Sequence, residues 1–465
     1  MLNTTRSISS QVIAAVLICL FTVPAATMFA AGDMPEPIPI QIELDGSGVE
    51  MTRWVDPQGR TPISYAQWRT TRGPERPFEM NLARTATPSK RGVSTTSMCI
   101  IVNTELYPSI ESALDQYMLD LTGELYVVAL YTSSGGTPEE MRSFLQQQYL
   151  AGMEGCVLIG DLPVPWYETW CGDPPAHQEF PCDLFYMDLD GVFTDSDVNG
   201  MYDTHTGDQS PEIWMGRLTA SVINIGGGDE LSLLQNYFYK NHLYRCGLMG
   251  VTNRALVYID DDWAGGGEGW DLEVGAAYNT RTTVLDKWTT WADDYESRLP
   301  VDYEFIQVCV HSSPHVHGFK NPLDEWSWTY NDEIIAIDPP AVFYNLFACS
   351  NARFVENDNM GGCYIFCDGN GLASIGSTKT GSMLDFGSFY TPFGDGVSIG
   401  EAFRRWFAAQ ASGGFADWQV CWYYGMTLQG DPTLTAQKKA TGATLSYDLG
   451  SASYMSAIYD GSDWD

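Results

Sequence analysis

Positive charge is scarce in this chain. Its 465 residues hold 24 Lys and Arg against 59 Asp and Glu, a formal net charge of −35 with histidine neutral. Such an excess is repelled by phosphate backbones and anionic lipid, which excludes nucleic acid as the expected partner. Histidine is rarer still, at six, and three of the six fall between His311 and His317. There is no CxxC pair, so a zinc ribbon is not expected. Charged residues make up only 18% and hydrophobic residues 44%, a balance that excludes a disordered chain. No internal repeat is visible. Past the amino terminus no run approaches the ~20 apolar residues that span a bilayer.

The amino terminus is the exception. A single basic residue, Arg6, precedes an apolar run from Val12 to Ala31, interrupted by Pro24 and ending in small residues. That layout predicts a secretory signal peptide over 1–31, with export to the cell surface, periplasm or medium and no stable membrane insertion after cleavage. An uncleaved anchor is the alternative, and Pro24 with the alanine-rich end favours cleavage. Of 11 cysteines, Cys19 lies in this segment. Export permits disulfides among the rest, with Cys363–Cys367 and Cys171–Cys182 as local candidates.

Residues 32–97 are rich in Pro, Thr, Arg and Gly and are expected to form a pro-segment or linker. Within it, Ser89-Lys90-Arg91-Gly92 offers a dibasic site for processing after Arg91. From Met98 the pattern changes to short apolar runs separated by helical spacing. Thr137-Pro138-Glu139-Glu140 has a hydroxyl cap, a proline at the first helical position and a glutamate three residues after the cap, so a helix is predicted to begin there. GCVLIG (155–160) follows it. A second round contains RALVYI (254–259), YEFIQVCV (303–310), AVFYNLFA (341–348) and GLASIGS (371–377). Strands alternating with helices predict an α/β fold with mainly parallel sheets flanked by helices, arranged as two adjacent units over 98–245 and 246–437. Residues 438–465 are a tail or the start of a small β module.

Reactive side chains in a parallel sheet gather at the carboxyl ends of its strands. One run of the second unit ends at Val310 and delivers His311-Ser312-Ser313. The next ends at Ala348 and delivers Cys349-Ser350-Asn351. Neighbouring strands lie about 4.8 Å apart, so an imidazole and a thiol at these ends can share a substrate. Together they are the minimum for nucleophilic acyl transfer. Taken alone, Cys349 has the plain reading of a core cysteine and His311 that of a hydrogen-bonded loop histidine.

The segments VCVHSS, NLFACSNARF and ASIGSTKTGS resemble the catalytic core of gingipain-type cysteine peptidases, within the caspase-like group. GCVLIGDLPVP (155–165), CDLFYMDLDG with PEIWMGRLTAS (211–221), and YGMTLQGDPTL (424–434) resemble further segments of that family in the same order. The resemblance implies two caspase-like subdomains, only the second catalytic, and a cysteine endopeptidase acting on protein or peptide substrates. It assigns the catalytic roles to His311 and Cys349, and the oxyanion donors to the backbone amides of Ser312 and Cys349. The family usually has glycine where this chain has Ser312. A catalytically silent surface or adhesion module of the same fold is therefore the competing reading. Asp261 or Asp262, after the 254–259 run, is the candidate countercharge for a basic substrate side chain, and Met383 stands where some members carry a pocket tryptophan. A solvated acidic loop is the alternative for the two aspartates.

Two metal expectations complete the reading. DSDVNGMYD (195–203) has the oxygen-ligand pattern of a calcium loop, with Asp195, Asp197, Asn199 and Asp203 as ligands and Asp188, Asp190 or Asp208 completing the shell. Position 12 is Thr206, so it is not a regular EF-hand. His311, His315 and His317 form an alternative zinc site, with a zinc hydrolase as the less favoured function. No organic cofactor is expected.

Overall fold

The structure, a computed structural model, describes residues 56–437 apart from 75, 90–93 and 173–174. The expected signal peptide, the candidate processing site at Lys90-Arg91 and the tail from 438 lie outside the described residues. No helix among the described residues is long and apolar enough to cross a membrane.

Eleven strands form one sheet. In chain order they are β1 (Glu79–Ala86), β2 (Thr96–Asn103), β3 (Tyr126–Ser134), β4 (Gly155–Ile159), β5 (Trp214–Leu218), β6 (Ala255–Ile259), β7 (Arg281–Val284), β8 (Phe305–Cys309), β9 (Phe343–Phe347), β10 (Ala373–Ser377) and β11 (Met426–Gly430). Across the sheet the order is β1-β3-β2-β4-β5-β11-β10-β9-β8-β6-β7. Strands β4, β5, β6, β8, β9, β10 and β11 are buried along their whole length. Helices cover both faces of such a sheet, which is why these strands appear in the sequence as unbroken apolar runs. The helix Pro138–Leu150 starts where its capping box predicts: Thr137 accepts from the Glu140 amide and Glu140 from the Thr137 amide. Residues 79–86, inside the stretch expected as pro-segment or linker, pair antiparallel with β3 at the sheet edge.

The two halves meet at β11. It runs antiparallel to β10 and parallel to β5. The strands of the two halves therefore run in opposite directions, and their carboxyl ends emerge at opposite edges. At the seam, buried Arg217 of β5 donates to Asp183 (2.6 Å), which also accepts from the Thr427 hydroxyl of β11 (2.6 Å). Just beyond β11, buried Asp431 accepts from Tyr117, Asn241 and Arg245, all of the first half.

Candidate active site

Pairing registers place four side chains in a row at one sheet edge. Ile259 of β6 pairs with Cys309 of β8, and Cys309 with Phe347 of β9. Two residues further, His311 stands level with Cys349. On the other side, Asn345 of β9 pairs with Ile375 of β10. Four residues further, Cys349 stands level with Lys379. Main-chain bonds continue past the strands, Asp260 N to Cys309 O (3.0 Å), Val310 N to Phe347 O (3.0 Å) and Ser350 N to Lys379 O (2.8 Å), and fix this alignment. In spatial order the edge carries Asp262, His311, Cys349 and Lys379.

His311 is buried and its Nε2 donates to Asp262 Oδ2 at 2.6 Å. Lys320 Nζ lies 2.8 Å from the other carboxylate oxygen. Burial alone would raise the Asp262 pKa, but the bonds from His311 and Lys320 outweigh it and hold the carboxyl at about 2. It is thus ionised at neutral pH and, as an acceptor only, takes the proton of the ring nitrogen facing it, Nε2. Nδ1 is buried without a hydrogen-bond partner among the described residues. Trp263 and Trp326 pack on the ring, with centroids 4.7 and 4.9 Å away. Cys349 is 5% exposed and outside any disulfide. The residue after it, Ser350, has φ +56, a left-handed conformation that turns the chain sharply beyond the thiol.

Ser312 lies on the first strand of a three-stranded hairpin, His311–Ser313, Val316–Lys320 and Trp326–Tyr330. It pairs with His317, so its side chain lies on the face opposite His311. Its hydroxyl donates to the carbonyls of Ser313 (2.7 Å) and Val316 (2.8 Å).

A small cavity of about 10 Å³ opens beside Cys349, lined by Trp263, Val310, Phe347, Ala348, Gly381, Ser382 and Trp422. Gly381 has φ +113, and a Cβ there would stand 2.6 Å from the Trp422 carbonyl. Only glycine lets the two segments close the wall this tightly. The residues expected to bind substrate each have a partner within the protein. Asp261 pairs with Lys287 at 2.8 Å, Asp262 holds His311, and Met383 is fully buried in the core with its sulfur 3.4 Å from Asn345 Nδ2.

The three histidines are not brought together. His317 points away from His311 toward Tyr295 and Tyr364, and burial pushes its pKa down to about 3. His315 lines a separate polar cleft with Arg60 and Asp358. The 195–203 loop is partly assembled. Asp197 and Asp203 converge with Glu168, their carboxylate oxygens all within 4.8 Å of one another. Asn199 Nδ2 donates to Glu168 and Asp197. Asp195 instead accepts the amides of Asn199 and Gly200, closing the turn. Asp188 and Asp190 group with Glu212 in a second cluster.

Sequence reasoning missed Glu168, the role of Asp262, and the disulfide. Cys171 is bonded to Cys421, 250 residues away, whereas Cys182, Cys363 and Cys367 are reduced and buried. Cys363 and Cys367 belong to the helix Met360–Phe366 and its C-cap, a geometry that leaves each sulfur on its own backbone carbonyl.

No protein-family model and no curated protein sequence matches this chain. Among solved structures, the Arg-specific cysteine proteinase gingipain R aligns with a TM-score of 0.51 at 13% identity, over 76% of this chain and 81% of that one. A second, an ABC domain in complex with L-Trp from Streptococcus pneumonia, aligns at a TM-score of 0.15 and 12% identity over 65% and 83% of the two chains, and carries no weight. The protein thus has an α/β fold, a large mainly parallel sheet flanked by helices, similar to that of gingipain R.

Proposed function

We propose that this chain is an exported cysteine endopeptidase acting through Cys349, His311 and Asp262. One observation carries the reading: Asp262 anchors His311 by Nε2 and leaves Nδ1 on the ring as the base, level with the thiol. The Cys349 proton passes to Nδ1, and the sulfur attacks the scissile carbonyl. The amides of Ser312 and Cys349 are the candidate donors for the oxyanion. The imidazolium returns its proton to the leaving amine, and water then hydrolyses the thioester. The silent-module reading rests on Ser312, and its hydroxyl is directed into the hairpin, away from this face.

The carboxylates considered for a basic substrate side chain are both engaged by lysines, Asp261 by Lys287 and Asp262 by Lys320. Trp263, Phe347 and Trp422 instead wall the cavity at Cys349. This supports preference for an apolar side chain before the scissile bond over a basic one. The Cys171–Cys421 bond supports export, since disulfides persist in oxidising compartments. Calcium at Glu168, Asp197 and Asp203 is part of the proposal, with the Asn199 side chain, turned over, adding a carbonyl.

A peptide-library cleavage profile of wild type and Cys349→Ala is the test. Cleavage after apolar residues, lost in Cys349→Ala, is the expected result. Full activity in the variant eliminates the thiol mechanism, and cleavage after Arg or Lys overturns the pocket assignment.

A further inference from the structure

Lys379 is a cation in an unusual position for a lysine. It is 2% exposed, and no carboxylate is among the groups acting on it. Its ammonium donates to the carbonyls of Thr380 and Cys421 and lies 5.4 Å from the Phe180 ring centroid. The ionisable groups that reach it are the thiols of Cys349 and Cys182. Burying an ammonium among carbonyls, an aromatic ring and two thiols costs far more than burying a neutral side chain. Gly425, against its stem, and Ser377, whose hydroxyl accepts from its amide, are neutral.

We propose that Lys379 is the charge partner of Cys349: it remains protonated beside the sulfur and lowers the pH at which the thiolate forms, while the thiol proton itself leaves to His311. The alignment supports this, since Cys349 stands between His311, two residues past β8, and Lys379, two residues past β10, with the Ser350 amide on the Lys379 carbonyl at 2.8 Å. The carbonyls of Thr380 and Cys421 fix the ammonium in place, and the Cys171–Cys421 disulfide holds the second of these. Burial lowers the Lys379 pKa, negative charge on Cys349 or Cys182 raises it, and the balance stands at about 7. Ionising Cys349 therefore strengthens the hold of Lys379 on its proton, and by reciprocity the ammonium strengthens the thiolate. The facing titratable groups are His311 on one side of Cys349 and Cys182 beyond Lys379. The thiol of Cys182 is fully buried and its pKa is raised by that burial, so it stays neutral.

This inference deepens the peptidase reading, and its test does not need peptide cleavage. Iodoacetamide alkylation of Cys349 is followed by mass spectrometry from pH 5 to 10 in wild type, Lys379→Met and Lys379→Arg, with the intact Cys171–Cys421 bond and the melting temperature as controls of folding. The alkylation midpoint is expected to rise by at least about one pH unit in Lys379→Met, with a roughly tenfold slower reaction on the acid side, and to stay low in Lys379→Arg. An unchanged midpoint in folded Lys379→Met overturns the proposal. If that variant fails to fold, His311→Ala decides. With Lys379 present, its Cys349 midpoint should remain below the free-thiol value of about 8.5, and a midpoint at or above that value overturns the proposal. Normal alkylation profiles with no cleavage of any peptide would leave Lys379 in its role and remove the peptidase instead.

Discussion

Asp262 binds two donors at once, His311 through Oδ2 and Lys320 through Oδ1. Asparagine keeps the shape but offers one acceptor and one donor, so the ring loses the partner that fixes its tautomer. Asp262→Asn should lower kcat by about 10²- to 10⁴-fold with little change in KM, measured on the best substrate of the library. A variant within twofold of wild type would show that Asp262 only stabilises the hairpin. His317 makes an opposite case on the other face of the same strand pair. Both of its ring nitrogens are buried without a hydrogen-bond partner among the described residues, and burial lowers its pKa to about 3 from an ordinary value near 6.5. Below pH 6.5 the unfolded chain takes up this proton and the folded one does not. Stability from this group is therefore complete above pH 6.5 and is lost as pH falls toward 3, by up to about 5 kcal/mol. His317→Leu should melt at or above wild type at neutral pH and lose less stability on acidification, and an identical acid slope by denaturant unfolding would contradict this. At this scale His311 and Cys349 were legible because each follows an apolar run. The role of Asp262 was not, because nothing in a linear sequence says that β6 lies beside β8.

Elements with both faces buried were legible almost to the residue. RALVYI becomes β6 (Ala255–Ile259) and AVFYNLFA becomes β9 (Phe343–Phe347), because an unbroken apolar run has few other places to go. The hairpins were not. Trp326–Tyr330 is WSWTY, half-buried and mixed in polarity, and its pairing with Val316–Lys320 is set by tertiary contacts rather than by its own pattern. The acidic loop shows the same division. The nearness of Asp197 and Asp203 was legible from spacing, whereas Glu168 enters from a separate element, the hairpin Trp166–Cys171 and Ala176–Pro181. An ion bound only by the folded state contributes about 2.7 kcal/mol at a hundredfold excess over Kd. EDTA should thus lower the melting temperature by several degrees, and Asp197→Asn should abolish both the drop and its reversal by calcium. A melt indifferent to EDTA would leave the cluster as a solvated acidic patch. The distant Cys171–Cys421 pairing was invisible for the same reason as Glu168: it depends on the hairpin and the helix Asp417–Tyr423 being neighbours.

Across the whole molecule, the segments that carried the family resemblance divide into two kinds. VCVHSS and NLFACSNARF supply the candidate chemistry, while the Gly-Arg-Leu and Gly-Asp-Pro segments join the halves. Arg217 of the former reaches Asp183, and Asp431 of the latter collects Tyr117, Asn241 and Arg245. Burial would raise the pKa of Asp431, but Arg245 and the hydrogen bonds outweigh it and keep the carboxylate ionised. Isolating the half that carries Cys349 breaks this arrangement. The fragment 246–437 would keep Asp431 but lose all three of those partners, and would expose β11 along the edge where β5 stands. Stranding a buried charge costs about 3–5 kcal/mol, a large fraction of the 5–15 kcal/mol that holds a domain folded. An unpaired apolar edge adds an aggregation hazard. The two halves, although each has its own set of parallel strands, should therefore melt in one transition, and the fragment alone should fail to unfold cooperatively in calorimetry. Asp431→Asn in the full chain should lower stability by a similar few kcal/mol without altering Cys349 alkylation. A soluble 246–437 fragment with a cooperative melt and a reactive Cys349 would show instead that the seam is dispensable and that this half is a domain in its own right.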